Sequence, residues 1–452
     1  MLAKFLFFYI IDGRKRINLS ENCLMKKILC LICLFSVSFY SCAVRNYLGS
    51  QSGLSEDRVF YAQMINNGNT AGWFNIPAHL LKVSDNLAIY MQTKFFTSYK
   101  ENISSYALNK LAQEFDYYYT SMTNIYGTHS DIDANGKIII LLMDINKTKD
   151  SGNQTLGYFN PNDMYDNNKG EILYMDLSNA NNNTDKAIGT IIHEFQHLIN
   201  YSYVISGERN EMSSWLNEAL SESTSILFNK TTAESRIEEF NKKNYYCFYT
   251  WYAPEQKVTN ETNGVTANST FNYPSASVFM HWLYQKNGSN GSIFQTIASP
   301  KGLSDYNKVL SAAKEISGLS GATWDSLLLD WMSEIVTNGL ATSWNPSVKA
   351  TNNLAKGDVS LYPGAMVVCD SYTNGASGNI VTNKVNGGSG KTIVLNKDTN
   401  LKGSPVKVSN LVSTSQTSSK ARTRRSAIRN DNNEESRDIN ILLDRNGNIK
   451  KD

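Results

Sequence analysis

The sequence predicts an α+β protein, in which strands and a helix come first, a helical half follows, and a small β appendage comes last. Lys137–Asp144 is a continuous apolar run, which is typical of a strand buried on both faces. The helical patterns of the second half lie at Ser235–Phe240, Ser277–Gln285, Ser304–Ile316 and Ser326–Thr337. Beyond about Asn345 the chain changes to short apolar runs separated by Gly, Ser and Asn, which is typical of a small β unit. These runs are Asp358–Tyr362, Ala365–Asp370 and Lys391–Asn396.

The first half alternates between strand and helix patterns. Asn86–Phe95 and Gly170–Leu177 are predicted strands on either side of the buried run. Ile103–Tyr126 is predicted as a long helix. Its apolar side carries Leu108, Leu111, Phe115 and Tyr119.

His193, Glu194 and His197 form an H-E-x-x-H sequence inside a further helical pattern. Two histidines four residues apart lie on one helix face, so both imidazoles can bind one Zn²⁺. The glutamate after the first histidine is then placed to act as a general base on water. The helix would bury a stripe formed by Ile188, Ile191, Ile192, Phe195 and Ile199, with Gly189 on the metal face and Asn183, Thr184 and Asp185 as N-cap candidates. The alternative is two histidines on an ordinary helix.

A third metal ligand is predicted at Glu218, 21 positions after His197, on a helix that begins after Ser213. That length of chain allows a turn and an antiparallel return, and a zinc peptidase needs three protein ligands. Glu222 lies one helical turn further on the same face and is placed to accept a hydrogen bond from a liganding histidine. A surface helix with two solvated glutamates is the alternative.

These residues resemble the gluzincin peptidases, in which a glutamate ligand follows H-E-x-x-H on a later helix. Asn217–Glu222 looks like the N-E-A-x-S-[DE] segment of thermolysin-type enzymes. The closer resemblance is to the hyicolysin family of secreted bacterial neutral metallopeptidases, and it covers roughly residues 85 to 290. The metzincin pattern H-E-x-x-H-x-x-G-x-x-H fails, because Asn200 and Tyr203 stand where it requires Gly and the third His. The segments that resemble hyicolysins are Gly157–Phe159, Gly170–Asp176, His193–Tyr201 and Trp215–Ser221.

The resemblance implies a gluzincin-type fold, with a mixed β/α upper subdomain, a helical lower subdomain and zinc between them. It also implies that Gly170–Leu177 is the edge strand that receives an extended substrate. Related enzymes stabilise the oxyanion with a Tyr or His from a later helix. Tyr273 is the favoured candidate here, because it opens a helix beside Pro274, and His281 is the alternative.

Asp131–Gly136 resembles the start of a calcium loop. The twelfth position of that template is Leu142 instead of Glu, and a buried strand begins too early for an EF-hand. We therefore expect a turn stabilised by Asx hydrogen bonds, with a minor Ca²⁺ site as the alternative.

The N-terminal region resembles a bacterial lipoprotein signal peptide. Lys26 and Lys27 precede a short apolar run, Ile28–Tyr40, and then Ser41 and Cys42. We expect translation from Met25, acylation of Cys42 and a lipid anchor at the bacterial envelope, in the outer membrane or at the cell surface, with secretion as the alternative. A true N-terminal anchor helix in residues 1–24 is the other possibility. With that region removed, two cysteines remain, Cys247 and Cys369, so no disulfide framework is expected.

The predicted organisation is a leader and signal peptide at 1–42, a tether at 43–60, a zinc metallopeptidase domain at 61–345, a β appendage at 346–408 and a disordered tail at 409–452. The formal charge of +2 is too balanced to indicate nucleic acid as a partner. The sequence thus predicts a zinc-dependent endopeptidase (a hydrolase) that acts on protein or peptide and is held at a membrane by its lipid. A non-catalytic surface-binding lipoprotein with a peptidase-like fold is the rival prediction.

Overall fold

The computed structural model describes residues 54–66, 69–146, 153–248, 258–259, 266–267, 272–344, 347–385, 390–400, 403–413 and 437–442. The predicted signal peptide and Cys42 lie outside these residues. Within them, no helix combines the length and apolar character that crossing a membrane requires.

A seven-stranded mixed sheet takes six strands from the first half of the protein and the seventh, β15, from residues 437–442, in the order β1-β2-β3-β4-β6-β5-β15. Strands β3, β4 and β6 run parallel to one another, β2 is antiparallel to β1 and β3, and β5 is antiparallel to β6 but parallel to β15. The strands are β1 (Asp57–Asn66), β2 (Asn69–Val83), β3 (Leu87–Gln92), β4 (Ile138–Met143), β5 (Asn153–Phe159), β6 (Ile172–Asp176) and β15 (Arg437–Leu442).

The described residues contain ten α-helices, and seven of them lie between Thr184 and Asn338. They are α1 (Tyr99–Asn102), α2 (Ser105–Tyr126), α3 (Leu177–Asn182), α4 (Thr184–Ile205), α5 (Ser214–Phe228), α6 (Lys230–Lys242), α7 (Asn272–Lys286), α8 (Ser292–Ala298), α9 (Asp305–Lys314) and α10 (Trp324–Asn338). The α+β class is therefore confirmed.

Strand β4 shows why the sheet forms where it does. All six of its residues are buried, as the continuous apolar run predicts. Because successive strand residues face opposite sides, Ile138, Ile140 and Leu142 join the main core with α2 and α4. Strands β3 and β6, which flank β4, are also buried throughout, so the middle of the sheet is covered on both faces.

The C-terminal part contains two small antiparallel sheets, in the orders β10-β13-β12 and β11-β14-β9, and a two-stranded pair, β7-β8, comes earlier. Their strands are β7 (Val258–Thr259), β8 (Thr266–Ala267), β9 (Gly357–Leu361), β10 (Met366–Cys369), β11 (Ser371–Tyr372), β12 (Ile380–Lys384), β13 (Thr392–Asn396) and β14 (Val406–Val412). The three predicted β runs are confirmed. Cys247 and Cys369 are buried thiols that form no disulfide and share one hydrophobic cluster in this region.

Two sequence expectations differ from the structure. The predicted edge strand is wrong, because β6 lies between β4 and β5 and its backbone is paired on both sides. Strand β5 lies outside it, and β15 runs along the outer side of β5. The other difference concerns boundaries: β1 begins at Asp57, inside the predicted tether, while β14 and β15 lie partly or wholly inside the predicted tail.

Candidate metal centre

Helix α4 carries the H-E-x-x-H residues through the middle of the protein. Its residues from Ala187 to Ser202 are all buried, including the predicted stripe, so the helix is enclosed on every side and not only on one face. Asn183 occupies the N-cap position without a side-chain capping bond, and Asp185 lies in the first turn, where a negative charge suits the helix dipole. The histidines are thus fixed on a rigid, central element.

Helix α5 lies antiparallel to α4. Asn200 donates to Asn217 (2.9 Å) near one end of the pair, and His193 approaches Glu222 (3.4 Å) near the other. Later residues of α4 therefore meet earlier residues of α5. This arrangement brings Glu218 opposite the space between the two histidines.

Three potential ligand atoms converge between the helices. His193 Nε2 lies 3.2 Å from His197 Nε2 and 3.2 Å from Glu218 Oε2, while His197 Nε2 lies 3.7 Å from the same oxygen. All three side chains are buried. This group of two imidazoles and one carboxylate has the composition of a metal site.

The outer nitrogens of both imidazoles have partners that fix their tautomers. Ser221 Oγ donates to Gln196 Oε1 and lies 2.9 Å from His197 Nδ1, so Nδ1 is the donor of that bond. His193 Nδ1 faces Glu222 Oε1, a carboxylate oxygen that can only accept. In the neutral form of each imidazole, which is the form that binds a metal, the lone pair of Nε2 is therefore directed at the shared centre.

Glu222 is itself held by a second set of contacts. Arg236 on α6 donates from Nε and Nη2 to the two oxygens of Glu222 at 2.8 and 2.9 Å, and Ser277 on α7 donates to Oε2. A bidentate pair of this kind fixes orientation as well as charge. Helices α6 and α7 thus position His193 through Glu222.

The charges around the centre favour a cation. Burial by itself would lower the pKa of His193, but the carboxylates of Glu218 and Glu222 raise it to about 10. Burial likewise opposes ionisation of Glu222, yet Arg236 and His193 hold its pKa down at about 2. The pKa of Glu218 is lowered against the same opposing effect of burial, chiefly by the two histidines. Positive charge is therefore stabilised where the three ligand atoms meet.

Glu194 is the buried carboxylate beside this group. It is 1% exposed, and the Phe159 backbone is the one described hydrogen-bonding group close enough to act on its pKa. Burial raises its pKa to about 7, while the two histidines act to lower it. A carboxyl whose pKa lies near neutrality suits a group that must both take up and release a proton.

The two oxyanion candidates lie in different surroundings on α7. The ring of Tyr273 is 6.4 Å from that of His193, and the Arg236 guanidinium lies 4.9 Å above the Tyr273 ring. His281 contacts Tyr284 and Gln285 instead, and none of its described contacts is with the metal group. Only Tyr273 adjoins the centre.

A cavity of about 110 Å³ opens next to His193, between β5, α4 and α6. Its lining includes Leu156, Thr190, Glu222 and Arg236. Gly157 lets β5 approach α4 here, since a Cβ at this position would lie 2.7 Å from the Tyr174 carbonyl oxygen and 2.9 Å from Thr190 Cγ2. The sheet, the cavity and the metal group are therefore neighbours.

Comparison with known proteins gives one informative similarity. The chain is 30% identical over 188 residues to the neutral metalloprotease ShpI of Staphylococcus hyicus. The chain resembles a metalloprotease. The matched region covers 38% of this chain and 40% of ShpI, so the chain spans about two fifths of that protein's length. No model of a known protein family matches. The similarity to ShpI and the histidine–glutamate group agree in supporting a metalloprotease relationship.

Sequence reasoning missed several residues of the centre. Ser221 lies inside the segment Asn217–Glu222, but its contact with His197 was not predicted. Its position three residues after Glu218 places it near the same helix face. Arg236 and Ser277 have no local sequence signal, because they reach Glu222 only through the packing of α6 and α7 against α5.

Proposed function

We propose that the protein is a zinc-dependent endopeptidase of the gluzincin type, similar to the hyicolysins, that hydrolyses peptide bonds of proteins. The observation that carries the proposal is the meeting of His193 Nε2, His197 Nε2 and Glu218 Oε2 beside the carboxylate of Glu194. The similarity to ShpI supports the same activity.

The residues fit a zinc ion. Two ligand atoms bound to one tetrahedral zinc lie about 3.3 Å apart, given metal–ligand bonds of about 2.0–2.1 Å. The observed separations of 3.2, 3.2 and 3.7 Å are close to that value. The ligand set also matches zinc by type, since imidazole nitrogen and carboxylate oxygen are among its usual ligands. Zinc in such a site supplies Lewis acidity, which polarises a carbonyl group and lowers the pKa of water.

The protein's own residues would move the protons. A carboxylate oxygen of Glu194 accepts a proton from the attacking water and passes it to the nitrogen of the leaving amine. The peptide C–N bond breaks, and the products are a carboxylate and an amine. The Tyr273 hydroxyl donates to the carbonyl oxygen as negative charge develops there. Glu222, fixed by Arg236, keeps the His193 ring in place throughout.

An extended substrate would pair with the sheet at β5. This strand lies outside β6 and adjoins both the cavity and α4. Its outer side is paired with β15, so a substrate would take the place of that strand. Main-chain hydrogen bonds to a strand edge give affinity that does not depend on substrate sequence. In the gluzincin plan, with a mixed upper subdomain above a helical lower one, β5 would form the roof of the cleft.

The proposal includes a lipid anchor at Cys42, at the surface of the bacterial envelope. It rests on Lys26, Lys27 and the short apolar run that precedes Cys42. In a bacterium with lipoprotein processing, the wild type should partition into detergent and Cys42→Ala should not. A mature N-terminus that begins at an unmodified residue would contradict the anchor and leave the peptidase proposal unaffected.

The decisive experiment measures hydrolysis of denatured casein by the purified protein, before and after chelation and after zinc is restored. We expect activity that chelation removes and zinc returns. Glu194→Gln should keep about one zinc per chain yet lose several orders of magnitude in turnover, because the base is gone while the ligands remain.

Two variants complete this experiment. His193→Ala combined with His197→Ala should lose both zinc and activity, and Glu315→Gln, on the surface far along the chain, should retain both. Zinc binding without any hydrolysis by the wild type would favour the rival, a binding lipoprotein with a peptidase-like fold. Equal zinc in the wild type and the double variant would contradict the ligand assignment.

A further inference from the structure

A second group of carboxylates lies apart from the metal centre described above. Asp131 and Asp133 belong to the loop between α2 and β4, and Glu171 immediately precedes β6. One carboxylate oxygen of each residue lies within 4.8 Å of those of the other two. Asp131 is exposed, whereas the side chain of Glu171 is completely buried. The group therefore has both a solvent-facing side and an enclosed side.

Glu171 has an oxygen that the described residues leave without a partner. Its Oε1 accepts hydrogen bonds from Ser130 Oγ at 2.7 Å and from the Ile132 amide at 3.0 Å. Its Oε2 is buried and accepts none. Because Oε1 is bound by the loop, the neighbouring Oε2 also lies at the loop. A buried carboxylate oxygen in this state is costly unless a hydrogen-bond donor or a bound cation satisfies it.

The protein's own cations do not balance this group. Arg58 Nη1 lies 3.5 Å from Asp133 Oδ2, but its Nη2 donates to the Asn168 carbonyl. Lys137 Nζ, from the same loop, donates to the Asp85 carbonyl. Burial raises the pKa of both Asp133 and Glu171, so the loss of hydration already opposes their ionised forms. Among the described contacts, the Arg58 guanidinium is thus the single positive charge beside these three carboxylates, and it contacts Asp133.

The loop has the shape of a calcium-binding turn. Asp131, Asp133 and Asn135 stand at the first, third and fifth positions of the template, and Gly136 stands at the sixth with φ +66°, where the chain turns sharply. The Gly136 amide donates to Asp131 Oδ1 at 3.0 Å. Position twelve is Leu142, which is buried in β4 and cannot serve.

Glu171, beside the neighbouring strand β6, supplies the carboxylate that the calcium-loop template has at position twelve. Strand β4 pairs parallel with β6, and the Ile139 amide donates to the Glu171 carbonyl at 2.7 Å. This pairing sets Glu171 beside the end of the loop. Gly170 makes the approach possible, since a Cβ there would lie 2.8 Å from Asp133 Oδ2. The strand pairing therefore supplies the carboxylate that the linear template lacks.

We propose that Asp131, Asp133 and Glu171 form a Ca²⁺ site. The ligands are all oxygens, which suits a hard cation such as Ca²⁺ better than zinc, and water completes the coordination on the exposed side. The ion would hold the loop to β6. Since the Ser130 amide donates to Ser202 Oγ at 3.0 Å, it would also steady the last turns of α4. The site does not depend on the proposed peptidase activity.

The experiment titrates CaCl₂ into the full-length, zinc-loaded protein, prepared free of calcium by exhaustive exchange. Calorimetry should show one site per chain, and the melting temperature should rise with the logarithm of calcium concentration. MgCl₂ at equal ionic strength is the control for salt. Asp131→Asn should weaken binding at least tenfold and remove most of the rise. The residue is exposed, so this variant should still fold.

Glu171→Gln tests the buried ligand, and Glu315→Gln, an exposed carboxylate elsewhere, should behave as the wild type. The proposal is overturned if calcium raises the melting temperature no more than magnesium does. It is equally overturned if Asp131→Asn shows the full calcium response. Should Glu171→Gln fail to fold, the comparison of Asp131→Asn with Glu315→Gln still decides the question.

Discussion

At the scale of single residues, the partners of each side chain decide what the centre can do. His193 and His197 could be placed from sequence because their geometry is local to one helix. Glu218 and Glu222 needed the further assumption that the next helix returns antiparallel, which the structure shows. Arg236 could not be found, because its contact with Glu222 depends on how three helices pack.

Tyr273 is the residue whose role is most directly testable. Tyr273→Phe keeps the ring that packs beside His193 and Arg236 and removes only the hydroxyl. If the hydroxyl stabilises developing negative charge, kcat should fall by roughly 10²–10³-fold, with zinc content and KM nearly unchanged. Steady-state kinetics and metal analysis check this. An unchanged kcat would remove Tyr273 from the mechanism.

His281 predicts a pH dependence of stability. Burial lowers its pKa to about 4, against an ordinary value of 6.5. Between pH 6.5 and 4 the His281 imidazole is therefore protonated in the unfolded chain but neutral in the folded protein. The free energy of unfolding falls as the pH falls through this range. The loss should be roughly 2 kcal/mol by pH 5. His281→Gln should show a shallower decline of the unfolding free energy between pH 7 and 5. Parallel curves for both proteins would contradict it.

At the scale of elements, the sequence predicts the bounds of segments that are long and periodic or continuously apolar. It does not predict which elements pack beside them. Helix α2 and strand β4 match the predicted Ile103–Tyr126 and Lys137–Asp144 within two residues at each end. The prediction that β6 is the edge strand was wrong. Strand order depends on tertiary pairing and not on the residue pattern within a strand.

Gly189 sets the distance between α4 and α6. A Cβ here would overlap Thr232 Oγ1 and lie 3.0 Å from Asn229 Oδ1. Gly189→Ala should push α6 outward and loosen the Arg236–Glu222 pair. We expect a lower melting temperature and weaker zinc binding, measured by thermal unfolding and competition with a chelator. Gly321→Ala, where a Cβ meets nothing within 4 Å, is the control. Equal zinc affinity in both variants would show that the spacing does not matter to the centre.

At the scale of the whole molecule, the candidate metal centre draws on residues far apart in the chain. Helices α4 to α7 supply ligands and supports, while the first half supplies β5 and the loop beside α4. The α+β class followed from the patterning of each region. How those regions pack together could not be predicted from the sequence. The polar contacts between them, such as that of Ser130 with Ser202, do not produce a periodic sequence pattern.

The pairing of β15 with β5 has a consequence for access to the cleft. Strand β5 can pair with only one partner on its outer side, and residues 437–442 already lie there, with Leu442 opposite Phe159. Under the proposed function, a peptide substrate would have to displace them, and a strand on the same chain competes intramolecularly, at an effective concentration that free substrate must exceed. A variant without residues 437–452 should show a lower KM for peptides and an unchanged kcat, as should Ile439→Pro, which cannot donate a main-chain hydrogen bond. An unchanged KM in both would contradict the competition. The C-terminal strand would then act as a tethered competitor that sets the fraction of molecules open to an extended chain.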